Sequence, residues 1–278
     1  MKRKPQRWTA AAAFLMMSAS VATAETLSDY ARHASCLIGP NNVFKLSMAA
    51  QGTLATVQVE RSDKVKKNQI IAQLESAVEQ AQIEAARARA QTDVIIRLKE
   101  VVHAAAAAKL ERLKTLRAET VATQQSVDDA GSAAAIALSE LEQAQLDKKL
   151  AGLEVERLEA NLQRRILRAP ADGVVTAVDL HPGEYADPAN SVATITEIDP
   201  LKVAVYLPAD AYPLVSVGMH AMITPKETSS KPREAIVRVK DPQIDASSGL
   251  FLVQLKMPNP EGDIPAGISC RAEFLGGE

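Results

Sequence analysis

Histidine and cysteine are the residue types in this chain best suited to acid–base, redox or metal chemistry. The four histidines are far apart in the sequence, and none has acidic or cysteine neighbours at the spacing of a metal site: His33, His103, His181 and His220. No glycine-rich phosphate-binding loop accompanies them. The sequence therefore predicts no catalytic residue, no metal site, no cofactor and no enzymatic activity.

The two cysteines, Cys36 and Cys270, lie near opposite ends of the chain. In an exported protein they could form one disulfide, and two buried thiols are the alternative. Spacing leaves both open, because a disulfide requires Cα atoms within about 7 Å of each other.

Residues 1–24 have the pattern of a cleavable signal peptide. A basic start is followed by an apolar run, Trp8–Met17, and by the small residues Ala22-Thr23-Ala24. The run is short for a helix that crosses a hydrocarbon core of about 30 Å, although an uncleaved signal anchor is the alternative. No cysteine follows Ala24 directly, so we expect export without a lipid anchor, and a mature chain that starts near Glu25.

Composition divides the chain into helical and β regions. The net charge of -2 argues against nucleic acid as the main partner. No proline occurs between Pro40 and Pro170, and no aromatic residue between Phe44 and Tyr185, whereas prolines and strand-like alternation are frequent afterwards. These features predict an α+β, elongated, multidomain protein.

The central segment, 76–165, is rich in strong helix formers, and its apolar residues recur at steps of three and four. This pattern predicts a coiled-coil seam that is interrupted once, around Glu119–Gln124. Two continuous arms of about 44 residues, each about 66 Å long, would form an antiparallel α-hairpin. The many alanines imply that the helices approach closely. The predicted seam includes Val78, Ala81, Ala85, Ala88, Ile95, Val102, Leu110, Leu113 and Leu116 in the first arm and Val127, Ala130, Ala134, Leu138, Leu141, Leu146, Leu150, Leu153, Leu158 and Leu162 in the second.

The hairpin separates two copies of one pattern, in which a glycine precedes a valine-rich strand, a polar turn and a short apolar strand. The copies, 44–75 and 166–198, resemble a biotinyl/lipoyl fold split into two halves. In the first turn, Ser62 and Asn68 stand where that fold usually has glycine. A lipoyl or biotinyl carrier is disfavoured, because Gln73-Leu74-Glu75-Ser76 leads directly into the helix and no candidate lysine for modification lies between the halves.

The last segment, 199–278, predicts a small β-barrel. Strands are expected at Ala221–Thr224, Ala235–Lys240, Leu250–Lys256 and Ile268–Phe274, with a short helix at Ala209–Val217.

A split lipoyl fold with a long hairpin, behind a signal peptide, resembles the membrane fusion protein family, the periplasmic adaptors of RND-type and HlyD-type exporters. The resemblance implies a periplasmic protein that joins an inner-membrane transporter to a TolC-like outer-membrane channel and assembles into a ring, trimer or hexamer. The cleavable signal and the barrel favour an RND partner, with an ABC-type exporter as the alternative. A structural coiled-coil spacer is the alternative of another class.

The chain stops soon after the barrel, so a further membrane-proximal domain is not expected. The implied organisation is a signal peptide (1–24), an N-terminal segment (25–43), two lipoyl-like halves (44–75 and 166–198), the hairpin (76–165) and the barrel (199–278).

One motif strengthens the resemblance. Adaptors that engage TolC-like channels carry R-L-x-x-L-x6-S-x4-D-x-A around the hairpin tip, and this chain has Arg112, Leu113, Leu116, Thr123, Asp128 and Ala130 at those spacings. The resemblance implies that the leucines pack the tip while Arg112, Thr123 and Asp128 contact the channel mouth. The alternative for the leucines is that they are ordinary seam residues.

Overall fold

The computed structural model of the protein describes residues 27–228 and 231–275. The predicted signal peptide, 1–24, lies outside the described residues. The chain forms two compact units. The central unit comprises Pro40–Leu201 and Asn259–Gly262. The terminal unit comprises the described residues up to Gly39, the segment Lys202–Pro258 and the described residues from Asp263 onward.

The described residues form these helices, in chain order: α1 Leu27–His33, α2 Ala77–Gln91, α3 Val94–Ala118 and α4 Gln124–Gln163, with a 3-10 helix at Ala209–Leu214. The strands are β1 Ser35–Ser47, β2 Gly52–Val57, β3 Lys64–Val65, β4 Ile70–Leu74, β5 Ile166–Arg168, β6 Gly173–Val178, β7 Tyr185–Ala186, β8 Ser191–Pro208, β9 His220–Pro225, β10 Arg233–Ile244, β11 Leu250–Met257 and β12 Ile268–Leu275. No described helix combines the length and the apolar character needed to cross a bilayer.

Helices α2, α3 and α4 form the hairpin of the central unit. Ion pairs between its arms follow an antiparallel order, since partners later in the first arm meet residues earlier in α4: Arg87–Glu159, Asp93–Lys148 and Lys99–Glu140. Because all three pairs are substantially exposed, we expect them to contribute little stability compared with the packed seam.

The first arm is not one continuous helix, as we predicted, but two helices separated at Thr92 and Asp93. Thr92 has an extended backbone, with ψ 128, which ends α2. Threonine and aspartate are weaker helix formers than the residues around them. The carboxylate of Asp93 binds the ammonium group of Lys148, and this hydrogen bond lowers the pKa of Asp93.

The seam register differs in part from the prediction. The buried residues of α4 are alanines, namely Ala130, which was predicted, and Ala137 and Ala144, which were not. Alanine at these positions allows the arms to approach closely, so the bulkier residues at neighbouring helical positions remain outside. Several predicted seam residues therefore belong to an exposed set, here named the outer stripe: Val94, Ile95, Leu98, Val101 and Val102 on α3, and Ile136, Leu138, Leu146, Leu150 and Leu153 on α4.

The β part of the central unit has the predicted repeat. One strand set has the order β8-β6-β3 and the other has the order β5-β4-β2-β7. The two copies exchange strands, since β3 of the first copy pairs with β6 (Lys64↔Val174) and β7 of the second pairs with β2 (Thr53↔Tyr185). A buried core with residues from both copies lies beneath these strands: Leu54, Val65, Ile71, Leu74, Val175, Ala186, Val192 and Ile195.

Equivalent backbone hydrogen bonds occur in the two copies. Leu54 N–H donates to Glu184 O at 2.8 Å, and Leu54 O accepts from Gly183 N–H at 2.8 Å. At the equivalent places, Val175 N–H donates to Asp63 O at 2.9 Å, and Val175 O accepts from Ser62 N–H at 2.8 Å. The copies are therefore structurally equivalent halves, named below the first half (β2–β4) and the second half (β6, β7 and the start of β8).

The strands of the terminal unit have the order β1-β12-β9-β10-β11-β8, and β1 also pairs with β8, which closes a barrel. The predicted helix at Ala209–Val217 is a shorter 3-10 helix with Pro213 inside it. Cys36 on β1 and Cys270 on β12 are joined by a disulfide, with their Cα atoms 5.0 Å apart. This bond links the first and last described strands of the chain.

Candidate functional site at the hairpin tip

The tip of the hairpin, residues 112–130, is built on a hydrogen-bonded turn. Helix α3 ends with Val121 N–H donating to Leu116 O at 2.9 Å and Thr120 N–H donating to Arg117 O at 2.8 Å. This pair of bonds is the Schellman motif, which requires a left-handed residue directly after the C-cap. Thr120 occupies that position with φ 64, where glycine is usual. Hydrogen bonds therefore define the backbone of the turn, although the side chain of Thr120 is sterically unfavourable at a positive φ.

Helix α4 begins at a side-chain cap. The hydroxyl of Thr123 accepts a hydrogen bond from Ser126 N–H at 3.2 Å, and the hydroxyl of Ser126 donates to Thr123 O at 2.7 Å. Ala122 and Val127 flank this cap at the positions of a hydrophobic staple, and both are half-buried. The hydroxyl of Thr123, which we predicted to contact a partner, is therefore engaged in starting its own helix.

The other motif residues divide into packed and exposed sets. Ala130 is 4% exposed and lies in the seam, while Leu113 is half-buried. Arg112 and Asp128 are exposed, as is part of Leu116. The carboxylate of Asp128 accepts a hydrogen bond from Gln124 Nε2 at 2.7 Å. The fold thus brings the six predicted residues to one tip, where Arg112, Leu116 and Asp128 are accessible to a partner.

Val121 is a tip residue that the sequence motif does not include. Its side chain is 70% exposed, the largest fraction among the large apolar side chains of the described residues. The signal in the sequence is a single valine between threonines at the interruption of the seam. Periodicity could not identify it, because the residue belongs to neither helix.

The tip has charges of both signs. Arg117 lies in the last turn of α3, where a positive charge is favoured, whereas Asp128 lies beyond the first turn of α4. Lys114 pairs with Glu111 on α3 at 2.7 Å. No group of His, Cys, Asp or Glu among residues 27–228 and 231–275 could hold a metal ion. The tip therefore offers a small apolar surface with charges of both signs, which suits protein binding.

Carboxylates with altered pKa values lie away from the tip and have structural partners. Hydrogen bonds from Ser247 and Ser248 lower the pKa of Asp245 to about 2 and hold the loop before β11. The backbone N–H of Lys67 and the ammonium group of Lys66 lower the pKa of Asp172. These shifts come from hydrogen bonds at exposed turns.

Comparison with curated proteins gives distant relatives. No protein-family model matches the chain. It is 24% identical over 226 residues to an uncharacterized protein of Haemophilus influenzae, covering 81% of this chain and 52% of that protein. It is 30% identical over 212 residues to a UPF0194 membrane protein in the asrC 5′ region of Acidithiobacillus ferridurans, covering 62% of this chain and 63% of that protein. The chain thus spans between half and two thirds of the length of these relatives.

Solved structures are more informative. MacA from Actinobacillus actinomycetemcomitans matches with a TM-score of 0.72 at 17% identity, covering 87% of this chain and 76% of that one. The membrane fusion protein Spr0693 from Streptococcus pneumoniae R6 matches with a TM-score of 0.58 at 17% identity, covering 87% of this chain and 97% of that one. The chain has the membrane fusion protein fold. The α+β class and the family resemblance predicted from the sequence are confirmed.

A third structure with this fold is a putative efflux transporter from Bacteroides eggerthii, which matches with a TM-score of 0.53 at 16% identity, covering 94% of this chain and 74% of that one. At these sequence identities the similarity establishes the membrane fusion fold alone, and the exposure of each side chain indicates which tip residues of this chain could contact a partner. By that measure, Arg112, Leu116, Val121 and Asp128 are among its exposed tip residues.

Proposed function

We propose that this protein is a non-catalytic periplasmic adaptor that couples an inner-membrane transporter to a TolC-like outer-membrane channel through its hairpin tip. The observation that carries the proposal is the tip itself. The hairpin ends in a hydrogen-bonded turn between helices α3 and α4, and this turn leaves Arg112, Leu116 and Asp128 accessible.

The length of the hairpin supports this role. Helix α4 has 40 residues and is therefore about 60 Å long at 1.5 Å per residue. Its seam is narrow and built on alanine, so its arms bury only a small core. A hairpin of this length extends its tip far from the β part that anchors it, as an adaptor between distant membranes requires.

The outer stripe supports self-association into a ring, trimer or hexamer. Its side chains lie on both arms, around the levels of the Lys99–Glu140 and Asp93–Lys148 ion pairs. A groove lined by Ile95, Ile136 and Ala144 lies among them. Apolar residues arranged along the outside of a two-helix coil favour packing against further helices. Neighbouring copies of the same hairpin would supply such helices.

For the inner-membrane partner we propose a transporter of the RND type, on the basis of the predicted cleavable signal and the barrel. The alternative is an ABC-type exporter. Affinity purification of the full-length chain from native membranes, after chemical cross-linking, identifies the transporter by mass spectrometry. Recovery of an ABC exporter in place of an RND protein would replace that part of the proposal and leave channel coupling intact.

Charge reversal at Asp128 tests the tip. We expect Asp128→Lys to reduce cross-linking to the outer-membrane channel about tenfold or more and to reduce export, because it reverses one of the exposed charges in the contact. The matched control is Glu156→Lys on the same helix. Glu156 is an exposed carboxylate away from the tip and outside the groove lined by Ile95, Ile136 and Ala144.

Circular dichroism verifies that both variants retain the helical hairpin. Unchanged cross-linking and unchanged export in the Asp128→Lys variant contradict the proposed contact. Loss of both in the Glu156→Lys variant to the same extent would show that the effect is not specific to the tip.

A further inference from the structure

The position of Val121 in the turn is unusual. In the Schellman motif, the second residue after the C-cap commonly packs on the residue whose carbonyl it binds. In this protein those two residues are Val121 and Leu116, joined by a bond of 2.9 Å between Val121 N and Leu116 O. The valine side chain nevertheless stays 70% exposed. The turn therefore holds the backbone of Val121 and presents its side chain outward.

Neighbouring residues restrict where this side chain can go. Thr120 is fixed in the left-handed region at φ 64, and its hydroxyl donates to Glu119 O at 2.6 Å. On the other side, the Thr123 cap and the half-buried Ala122 hold the start of α4. Val121 is thus the apolar residue of a short segment whose two ends are both hydrogen-bonded, so little conformational freedom remains to be lost on binding.

We propose that Val121 is an apolar anchor that enters a pocket between helices at the mouth of the outer-membrane channel, and that Thr120 positions it. This proposal rests on the proposed function. Val121 lies between Leu116 and Thr123 of the tip motif, so the anchor is continuous with the proposed interface. The tip combines a strongly exposed apolar residue with exposed charged residues, Arg112 and Asp128, which matches the anatomy of an energetically important interface contact.

Site-specific photo-cross-linking tests the occupant. A photoreactive amino acid is placed at position 121, 112 or 78 of the full-length chain in cells that produce the transporter and the channel. Val78 is the matched control, because it is also a valine and is 65% exposed, at the base of the hairpin. We expect position 121 to give a product that mass spectrometry identifies as the outer-membrane channel, and position 78 to give no channel product.

The outcomes separate the two proposals. A channel product from position 112 without one from position 121 overturns the anchor and leaves the adaptor function standing. A product from position 121 that contains a second copy of this chain, an inner-membrane protein or lipid also overturns the anchor. If neither position 112 nor position 121 reaches the channel, the proposed function fails as well.

A binding measurement with the purified channel tests the energetic part. We expect Val121→Ser to weaken binding about tenfold or more, since burial of a valine side chain is lost, and Val78→Ser to change it less than about twofold. Val121→Ile keeps the apolar anchor and is expected to bind as the parent does. Equal binding by the Val121→Ser and parent proteins overturns the proposal.

The role of Thr120 has its own readout. Thr120→Gly keeps the left-handed turn accessible and keeps Val121, but it releases the restriction on the backbone. We expect its hairpin to be at least as stable as the parent and its channel binding to be several-fold weaker. Unchanged channel binding by this variant would show that Thr120 does not position Val121, and would overturn that part of the proposal.

Discussion

The first and second halves of the β part have the same backbone but different surfaces. Leu54 and Val175 make equivalent backbone hydrogen bonds in the two halves, at 2.8–2.9 Å. The turns that provide their partners differ: Ser62 has φ 79 where Gly183 has φ 90, and the basic Lys66 is equivalent to the acidic Asp187. Buried positions and ladder bonds therefore specify this fold, whereas the charge of the turns is free to change.

Equivalent core positions provide the strongest test of this symmetry. Ile71 and Val192 are equivalent and fully buried, at 0% exposure. We expect Ile71→Ala to lower the free energy of unfolding by about 2–5 kcal/mol through lost burial and a cavity, and Val192→Ala to cost somewhat less because it removes fewer atoms. Urea unfolding measures both. Leu150→Ala, at a half-exposed position of the hairpin, is the control with a small expected change. A large loss from one half alone would break the symmetry.

The next largest effect on stability is expected at Gly173 of the second half, where neighbouring atoms approach the glycine closely. A Cβ atom at Gly173 would lie 2.7 Å from Thr196 O and 2.8 Å from Ile195 Cγ2, whereas at the equivalent Gly52 the nearest atom is the movable guanidinium of Arg165 at 3.4 Å. We therefore expect Gly173→Ala to cost about 1–3 kcal/mol through overpacking. The control is Gly152→Ala in helix α4, where a Cβ meets nothing within 4 Å. There, the free energy of unfolding should rise or stay equal.

Exchanging the residue types of the two left-handed turn positions, Ser62 and Gly183, should change stability less, and in opposite directions in the two halves. Gly183→Ser is expected to cost about 1 kcal/mol, because a side chain is introduced at φ 90. Ser62→Gly should have the opposite sign, since it relieves the same conflict in the first half. Thermal unfolding of the two variants checks the signs, and the same sign in both would show that the turns are not equivalent.

The smallest effect concerns pH. Hydrogen bonds from Lys67 N–H and Lys66 lower the pKa of Asp172, whose equivalent in the first half is the uncharged Gln51. A lowered pKa in the folded state contributes stability above the ordinary value near pH 4, and this contribution is lost as the pH falls below it. Asp172→Asn should therefore unfold with less pH dependence below about pH 4 than the parent. Equal pH dependence in urea unfolding would count against this assignment.

Much of the fold could be predicted from residue patterns. Alternation in Gly52–Glu60 and in Gly173–Val178 predicted the paired strands, because a half-buried strand needs its apolar residues on one face. The break at Glu119–Gln124 predicted the end of the hairpin, and the structure places the turn and the Thr123 cap in this segment. These signals are local, so the sequence carries them directly.

The seam register and the division of the first arm could not be predicted in the same way. Leucine and alanine both satisfy a pattern of threes and fours, and the choice of Ala137 over Leu138 for the interior depends on how closely the partner helix approaches. The division at Asp93 similarly involves Lys148, which is 55 residues away in sequence.

The contact roles of the tip residues stay predictions. The motif residues Arg112, Thr123 and Asp128 are exposed, and the hydroxyl of Thr123 also caps helix α4. Val121 was missed, because a lone exposed valine in a turn has no periodic signal in the sequence.

The sequence by itself determined the α+β class, the repeated β halves, the long hairpin between them and the location of its tip, because each follows from composition and local periodicity. Only the tertiary structure decided which strands are exchanged, that Cys36 meets Cys270, which stripe of the hairpin stays outside and which tip side chains remain accessible. The physical reason is that these features depend on the distances between segments far apart in the chain, and residue spacing carries no information about such distances.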